Sequence, residues 1–418
     1  MKQKKIGYFG LFGQQNWGNE CTLQAIIGNA RRYLPDWEMY CICTDPDDTS
    51  KRYGIPAFPM KAISGDIGWG RNAYLMRLLR TVFFRIPMEL LHWVTAFRIL
   101  KGTHMVVAPG TGLLTDFERK IFGRCYEIFK WSVIAKLCGT KFLFVSIGAG
   151  PIRHPMNRLF IKFALSMADY RSYRNVSSRQ YLESIGIKAK NDQIYPDLAF
   201  SLPWTITNNC INRNRQRPVI GVGVADRILG VRVFYNENKF VEQQIETIYR
   251  DTIDITCSFV VWLLQNKYAV RLLLGDSMYD NEAKKDLKNE IMKRGYDFEE
   301  GNIIDEPITS VEQLMSQLAT TEVVISPRFH NIILALMLNK PVISLSYHEK
   351  FQALMADLEL EEYCQSAGDL SVNRLKELFT KIMSNSEDIK NVIKLKTERN
   401  HLALEKQYSC IFNDLPSV

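Results

Sequence analysis

Arg328 and His330 lie two residues apart in the run Ser326-Pro327-Arg328-Phe329-His330, between two segments of different character. Val323, Val324 and Ile325 form a short apolar run before Pro327, as a buried strand does. Ile332, Ile333, Leu336 and Met337 then recur at helical spacing, Pro341 stops that helix, and residues 342–345 are again strand-like. The arginine and histidine are therefore expected at the carboxyl end of a strand, where a helix begins. Ligands of open α/β sheets bind there, because a helix N-terminus offers N–H groups and positive partial charge. A fixed cation beside a titratable imidazole suits an anionic substrate undergoing proton transfer. The plainer reading is that the two residues hold loops and pair with nearby acids. Company elsewhere in the chain decides between them.

Strand and helix signals alternate through the first half. Residues 5–11 read as a strand and 13–18 as a loop. Asn19 reads as the cap of a helix whose face carries Leu23, Ile26, Ile27, Ala30 and Leu34. Strands are expected at 38–43, 105–108 and 141–146, with a helix over 121–137. A second series begins at 219–224, with a long helix around 240–265, a strand at 269–274 and a helix at 281–294. This alternation predicts an α/β protein with two Rossmann-like domains facing across a cleft, a GT-B-like arrangement. The expected boundaries are 1–204 for the N-terminal domain, 205–217 for a Pro/Asn/Arg-rich linker, 218–385 for the C-terminal domain and 386–418 for a charged helical tail.

At 418 residues the chain is long enough for two cores, and 46% apolar with 23% charged residues is a globular composition. The net charge of +8 suits anionic ligands or an anionic surface. It is too diffuse to indicate nucleic acid, and no RNA- or DNA-reading motif is present. The nine cysteines are scattered, with Cys41 and Cys43 the only close pair, and none has zinc-site spacing. They read as reduced thiols of a cytoplasmic protein. The basic and apolar start of the chain holds Gly7, Gly10 and Gly13, which suits a first strand better than a leader.

Several further segments join the first one in order. They are Asn16-Trp17-Gly18-Asn19-Glu20, the loop 108–116 containing Gly110, Gly112 and Asp116, and the turn 146–151 containing Gly148 and Gly150. Arg174-Asn175-Val176-Ser177-Ser178 follows, then Leu182 and Gly186, Pro196-Asp197-Leu198-Ala199-Phe200, and Ser346-Tyr347-His348-Glu349-Lys350. With the segment around Arg328 and His330, this ordered set resembles the polysaccharide pyruvyl transferase family over nearly the whole chain. Two positions depart from the family pattern: Asn19 and Asn175 stand where Asp is usual. Each swap removes a charge and keeps a hydrogen-bonding side chain, so a capping role survives it and a general-base role does not.

The resemblance implies transfer of pyruvate from phosphoenolpyruvate to a sugar of an exopolysaccharide or other cell-surface glycan precursor, as a ketal across two hydroxyls. Catalysis is expected from His330 as general acid/base and from Arg328, with no cofactor and no metal. Arg174 and Lys350 are further expected phosphoenolpyruvate contacts, and Ser326 and Asn16 complete the candidate set. Gly110, Gly112, Gly148 and Gly150 allow close backbone approach or simply tight turns. Asp116 either orients a sugar hydroxyl or caps a helix. His154 and His348 fit surface positions, and His92, His104 and His401 carry no signal beyond structure.

Residues 71–101 carry Arg71, Arg77, Arg80, Arg85, Arg98 and Lys101 against one acid, Glu89, with an apolar stripe at helical spacing. Such a segment fits an ordinary domain helix or one lying at an anionic membrane surface, which would suit a lipid-linked oligosaccharide acceptor. The expected location is cytoplasmic, and the second of these readings would put the protein peripherally at the inner face of the membrane. Two other functions fit the same residues. A GT-B glycosyltransferase would grip the diphosphate of a nucleotide-sugar with Arg328 and Lys350, though no E-x6-E ribose signature is present. A non-catalytic binder of glycan or a partner enzyme is kept open by Asn19 and Asn175.

Overall fold

The computed structural model describes residues 3–61, 86–116, 120–203, 217–224, 242–298 and 301–415. Residues 71–85 of the basic segment and 205–216 of the expected linker lie outside the described residues. Contacts divide the chain into two compact units. One is made of Met1–Gln14, Thr22–Leu198 and Leu404–Val418; the other of Gln15–Cys21 and Ala199–Ala403. Two stretches thus leave the sequence halves: 15–21 counts with the second unit, and the end of the tail counts with the first.

The first unit holds a parallel sheet ordered β3-β2-β1-β4-β5-β6-β7. Its strands are β1 (Lys5–Gly10), β2 (Glu38–Cys43), β3 (Ala57–Pro59), β4 (Met105–Pro109), β5 (Lys141–Ile147), β6 (Tyr170–Tyr173) and β7 (Gln193–Ile194). Between them run α1 (Trp17–Tyr33), α2 (Pro46–Tyr53), α3 (Ile86–Leu100), α4 (Arg124–Cys138), α5 (Pro155–Met167) and α6 (Val176–Ser184). Strands β1, β4 and β5 are almost wholly buried, as expected of a sheet covered on both faces. Phe9, Ile42, Val106, Phe142, Phe144 and Trp131 form the centre of this core, with Phe9 edge-on to Phe142 at 5.9 Å.

The second unit holds another parallel sheet, ordered β10-β9-β8-β11-β12-β13. Its strands are β8 (Val219–Gly223), β9 (Ala269–Leu273), β10 (Ile303–Ile304), β11 (Val323–Ser326), β12 (Val342–Ser346) and β13 (Cys364–Ser366). Its helices are α7 (Glu242–Gln265), α8 (Asp280–Lys293), α9 (Val311–Ala319), α10 (Phe329–Met337), α11 (Glu349–Asp357) and α12 (Val372–Ser384), with α13 (Ser386–Ser409) closing the chain. Helix α10 buries nearly every side chain, which is why its sequence is apolar all round. Phe259 and Trp262 of α7 stack and meet Phe379 of α12 edge-on.

Each sheet reverses its strand order once, between β1 and β4 in the first unit and between β8 and β11 in the second. Loops leaving strand ends at such a reversal diverge and leave room for a ligand. The loop after β4 carries Gly110 and Gly112, and the turn after β11 carries Arg328 and His330.

Two expectations need correction. Helix α1 begins at Trp17, and its cap is Asn16 rather than Asn19: Asn16 Oδ1 accepts from the Asn19 N–H at 3.2 Å. The glycine at 18 disguised this first turn, because glycine disfavours helix interiors. Helix α4 begins three residues late, at Arg124, because Gly123 before it is extended.

Candidate functional site

The candidate residues fall into two groups, one in each unit. In the second unit, the turn after β11 places Arg328 at the N-cap position of α10 and His330 in its first turn. Ser326 is fully buried, and its hydroxyl accepts the Arg328 backbone N–H at 3.1 Å. That hydrogen bond holds the turn, and Gly223 makes room for the serine, since a Cβ there would lie 2.4 Å from Ser326 Oγ.

The Arg328 side chain is nearly buried and its guanidinium bonds to Asp280, whose side chain is fully buried. Asp280 also accepts from the backbone N–H groups of Gly275 and Asp276, at 3.0 and 2.9 Å. Gly275 is required here: a Cβ on it would lie 2.6 Å from Arg328 Cγ.

Residues 15–17 pair with the loop after β9 in an antiparallel bridge between Asn16 and Asp276. Asn16 Nδ2 donates to Asp276 Oδ2 at 2.7 Å, and Trp17 Nε1 donates to Ser277 Oγ at 2.9 Å. Burial pushes the Asp276 carboxyl above its usual range, against the opposing pull of Arg328 and of the Asn16 hydrogen bond. Next in the chain, Gly18 lies under the His330 ring, so closely that a Cβ would meet Nδ1 at 2.0 Å. Asn16, Asp276, Asp280, Arg328 and His330 are thereby tied into one arrangement.

Lys350 lies at the first turn of α11. Its ammonium stands 5.0 Å from the Phe329 ring, 5.6 Å from Tyr347 and 5.4 Å from Phe351. His348 caps this helix, its Nδ1 accepting from the Lys350 N–H at 3.2 Å. His154 likewise caps α5, accepting from the Met156 N–H.

In the first unit, the loops after β4 and β5 run side by side. Gly148 N–H donates to Thr111 O at 3.0 Å, and Gly150 N–H to Leu114 O at 3.0 Å. Arg174, at the end of β6, lies across both loops. A Cβ on Gly148 would sit 2.6 Å from Arg174 Nε, and one on Gly112 3.9 Å from its Nη2. Arg174 Nη1 donates to the buried Asp197 at 3.3 Å. Gly110 is packed beneath, where a Cβ would meet Ser146 O at 2.8 Å, and a Cβ on Gly150 would meet Thr115 Cγ2 at the same distance.

Asp116 is buried and accepts from the backbone N–H groups of Arg153 and His154 at 2.8 to 2.9 Å, and from Asn157 Nδ2 at 3.3 Å. It anchors the entry to α5, across the loop rather than on the next helix. Asn175 caps α6, its Oδ1 accepting from Ser178 N–H at 2.8 Å. The departure from Asp at this position therefore keeps the capping role.

Sequence reasoning passed over Asp276, Asp280 and Gln407. Gln407 is fully buried and bonds to both Ser146 and Ser172. Ser146 has a positive φ of 49° at a register shift between β5 and β6, so this glutamine secures the strained residue that launches the Gly148 loop. Among the described residues no three His, Cys, Asp or Glu side chains gather to hold a metal ion. None of the described helices is long and apolar enough to cross a membrane.

Two parallel Rossmann-like sheets with strand-end sites define a GT-B-like α/β protein, and solved structures share that fold. A Listeria monocytogenes protein assigned as a UDP-N-acetylglucosamine 2-epimerase superposes with a TM-score of 0.60 at 11% identity, over 100% of this chain and 98% of that one. Staphylococcus aureus MnaA with UDP gives 0.59 at 12%, over 100% and 98%. Anabaena HepE with UDP gives 0.58 at 11%, over 100% of both chains. At such identities the likeness establishes the fold alone. No curated protein matches in sequence. The sequence pattern of the polysaccharide pyruvyl transferase family matches residues 16–349, from Asn16 to Glu349. The chain belongs to that family.

Proposed function

We propose that this transferase moves a pyruvyl group from phosphoenolpyruvate to a sugar of an exopolysaccharide or other cell-surface glycan precursor, forming a pyruvate ketal. The observation that carries the reading is the Arg328–His330 turn, inside the matched family segment and at the strand-order reversal of the second sheet. Arg328 and the positive end of α10 suit the carboxylate and phosphate of the donor. Lys350 and Arg174 are the further cations assigned to substrate.

In the proposed chemistry a sugar hydroxyl adds to the central enol carbon while the terminal methylene gains a proton. A second hydroxyl then displaces inorganic phosphate, closing the ketal. Each hydroxyl gives up its proton as its C–O bond forms. His330 moves a proton in this sequence, because an imidazole can both accept and donate one and the ring is held in place against Gly18. No cofactor and no metal take part in this scheme. The acceptor is a sugar or lipid-linked oligosaccharide; an intracellular donor suits a reaction in the cytoplasm, and a lipid-linked acceptor would bring it to the inner face of the membrane.

UDP in the neighbouring structures raises a second reading, a nucleotide-sugar donor. It rests on fold likeness and has no ribose-binding signature in this sequence to support it. Thermal shift with phosphoenolpyruvate and with UDP-sugars separates the two, since a ligand binding only the folded state raises the melting temperature. His330→Ala tests a non-catalytic role: product formed by the parent and lost in the variant, with ligand binding retained, excludes that role.

A further inference from the structure

Helices α3, α4 and α5 of the first unit lie side by side. Trp93 Nε1 of α3 donates to Tyr126 OH of α4 at 3.0 Å, and Phe129 of α4 stacks on Phe160 of α5 at 5.2 Å. The outer stripe of α3 is apolar: Leu90 is 62% and Leu91 60% exposed, and Val94 and Phe97 follow on the same side. Phe122, just ahead of α4, is 76% exposed, and Leu159 and Phe163 of α5 are exposed as well. Soluble surfaces seldom leave apolar residues so concentrated without a partner.

The charges of these helices decide what that partner is. The three helices carry only two acids, Glu89 and Glu127. Both bond to the fully buried Lys130 at 2.8 Å, and Glu89 also accepts from Tyr126 OH at 2.8 Å. Both acids are thus directed toward the same buried ammonium, which offsets one of their two charges. The exposed charges that remain, Arg98, Lys136, Arg158 and Lys162, are all positive. Apolar side chains set among cations and cleared of acids match a bilayer bearing anionic headgroups: the side chains enter the acyl boundary and the cations stay at the phosphates.

We propose that the α3–α4–α5 face docks on an anionic lipid bilayer. This gives the inner-face placement a definite surface and needs no donor chemistry, so its failure would leave the transferase reading untouched. The test is flotation of the full chain with phosphatidylcholine vesicles, with and without phosphatidylglycerol. Binding is expected with the anionic vesicles at low salt and should weaken as salt is added. The double substitution Leu90→Glu with Leu91→Glu alters only exposed side chains, and its fold is checked by melting. It should lower the bound fraction about tenfold or more. Arg158→Glu with Lys162→Glu should erase the preference for anionic lipid. Failure to float, or flotation unchanged by Leu90→Glu with Leu91→Glu, overturns the proposal. So does a dimer in sedimentation that the same double variant dissolves, because a second copy would then cover the face.

Discussion

The imidazole of His330 rests on the backbone of Gly18, leaving no room for even a methyl group between them. The family segment at 16–20 and the proposed catalytic segment at 326–330, over 300 residues apart in sequence, thereby meet in the second unit. Gly18→Ala should push the ring away and lower turnover about tenfold or more while the protein still folds, since small displacements at a reacting centre are costly. Steady-state kinetics beside a melting curve check this. A variant with full turnover would show that the ring position is unimportant.

Arg328 is bound to a carboxylate with no exposed side-chain surface. Losing one partner of such a pair strands the other, at a cost of about 3–5 kcal/mol. Asp280→Ala should therefore lower stability by that order in chemical denaturation and also weaken donor binding. Asp280→Asn keeps the shape and one of the two acceptor oxygens and should lose less. Equal losses would mean that the charge, not the shape, holds Arg328.

Asp116 accepts two backbone N–H groups and the Asn157 amide at the entry to α5. Asp116→Ala leaves these donors without their acceptor and should cost about 1–3 kcal/mol of stability. With a structural role, the KM for the sugar stays unchanged in the fraction that folds. A rise in that KM with stability retained would instead return Asp116 to substrate binding.

Burial pushes the Glu127 carboxyl up to about 7, against the pull of Lys130. A carboxyl raised on folding stabilises the protein fully below its unfolded value and loses that contribution as pH rises through the folded one. The window is therefore about pH 4.5 to 7, and the contribution is on the order of 3 kcal/mol. Glu127→Gln does not titrate, so its stability difference from the parent should change across this window and level off above it. A difference that is flat with pH would refute the assignment.

Much of the fold was legible because its strands are short apolar runs bounded by Pro and Gly. Residues 323–346 are the clearest case, with strand, helix and strand in the order expected. The cap of α1 was misplaced because Asn16 and Asn19 are the same residue type, and tertiary bonds to Asp276 and Ser277 decide which one starts the helix. Arg328 and His330 were visible from local pattern. Their supports were not: Asp280 is 48 residues from Arg328, Asp276 is 260 from Asn16 and Gln407 is 261 from Ser146. Such pairs leave no periodicity to read. Asn175 is the converse case, since the capping role that its residue type allowed is seen in one hydrogen bond from the Ser178 N–H.

The most direct test of the central claim is calorimetric titration of the purified protein with phosphoenolpyruvate, and separately with UDP-sugars, for the parent and for Arg328→Lys. Lysine keeps the charge opposite Asp280 but lacks the planar fork that grips a carboxylate or phosphate. The account predicts that phosphoenolpyruvate binds the parent, binds Arg328→Lys at least about tenfold more weakly, and that UDP-sugars do not bind. Binding of a UDP-sugar with none of phosphoenolpyruvate would contradict it.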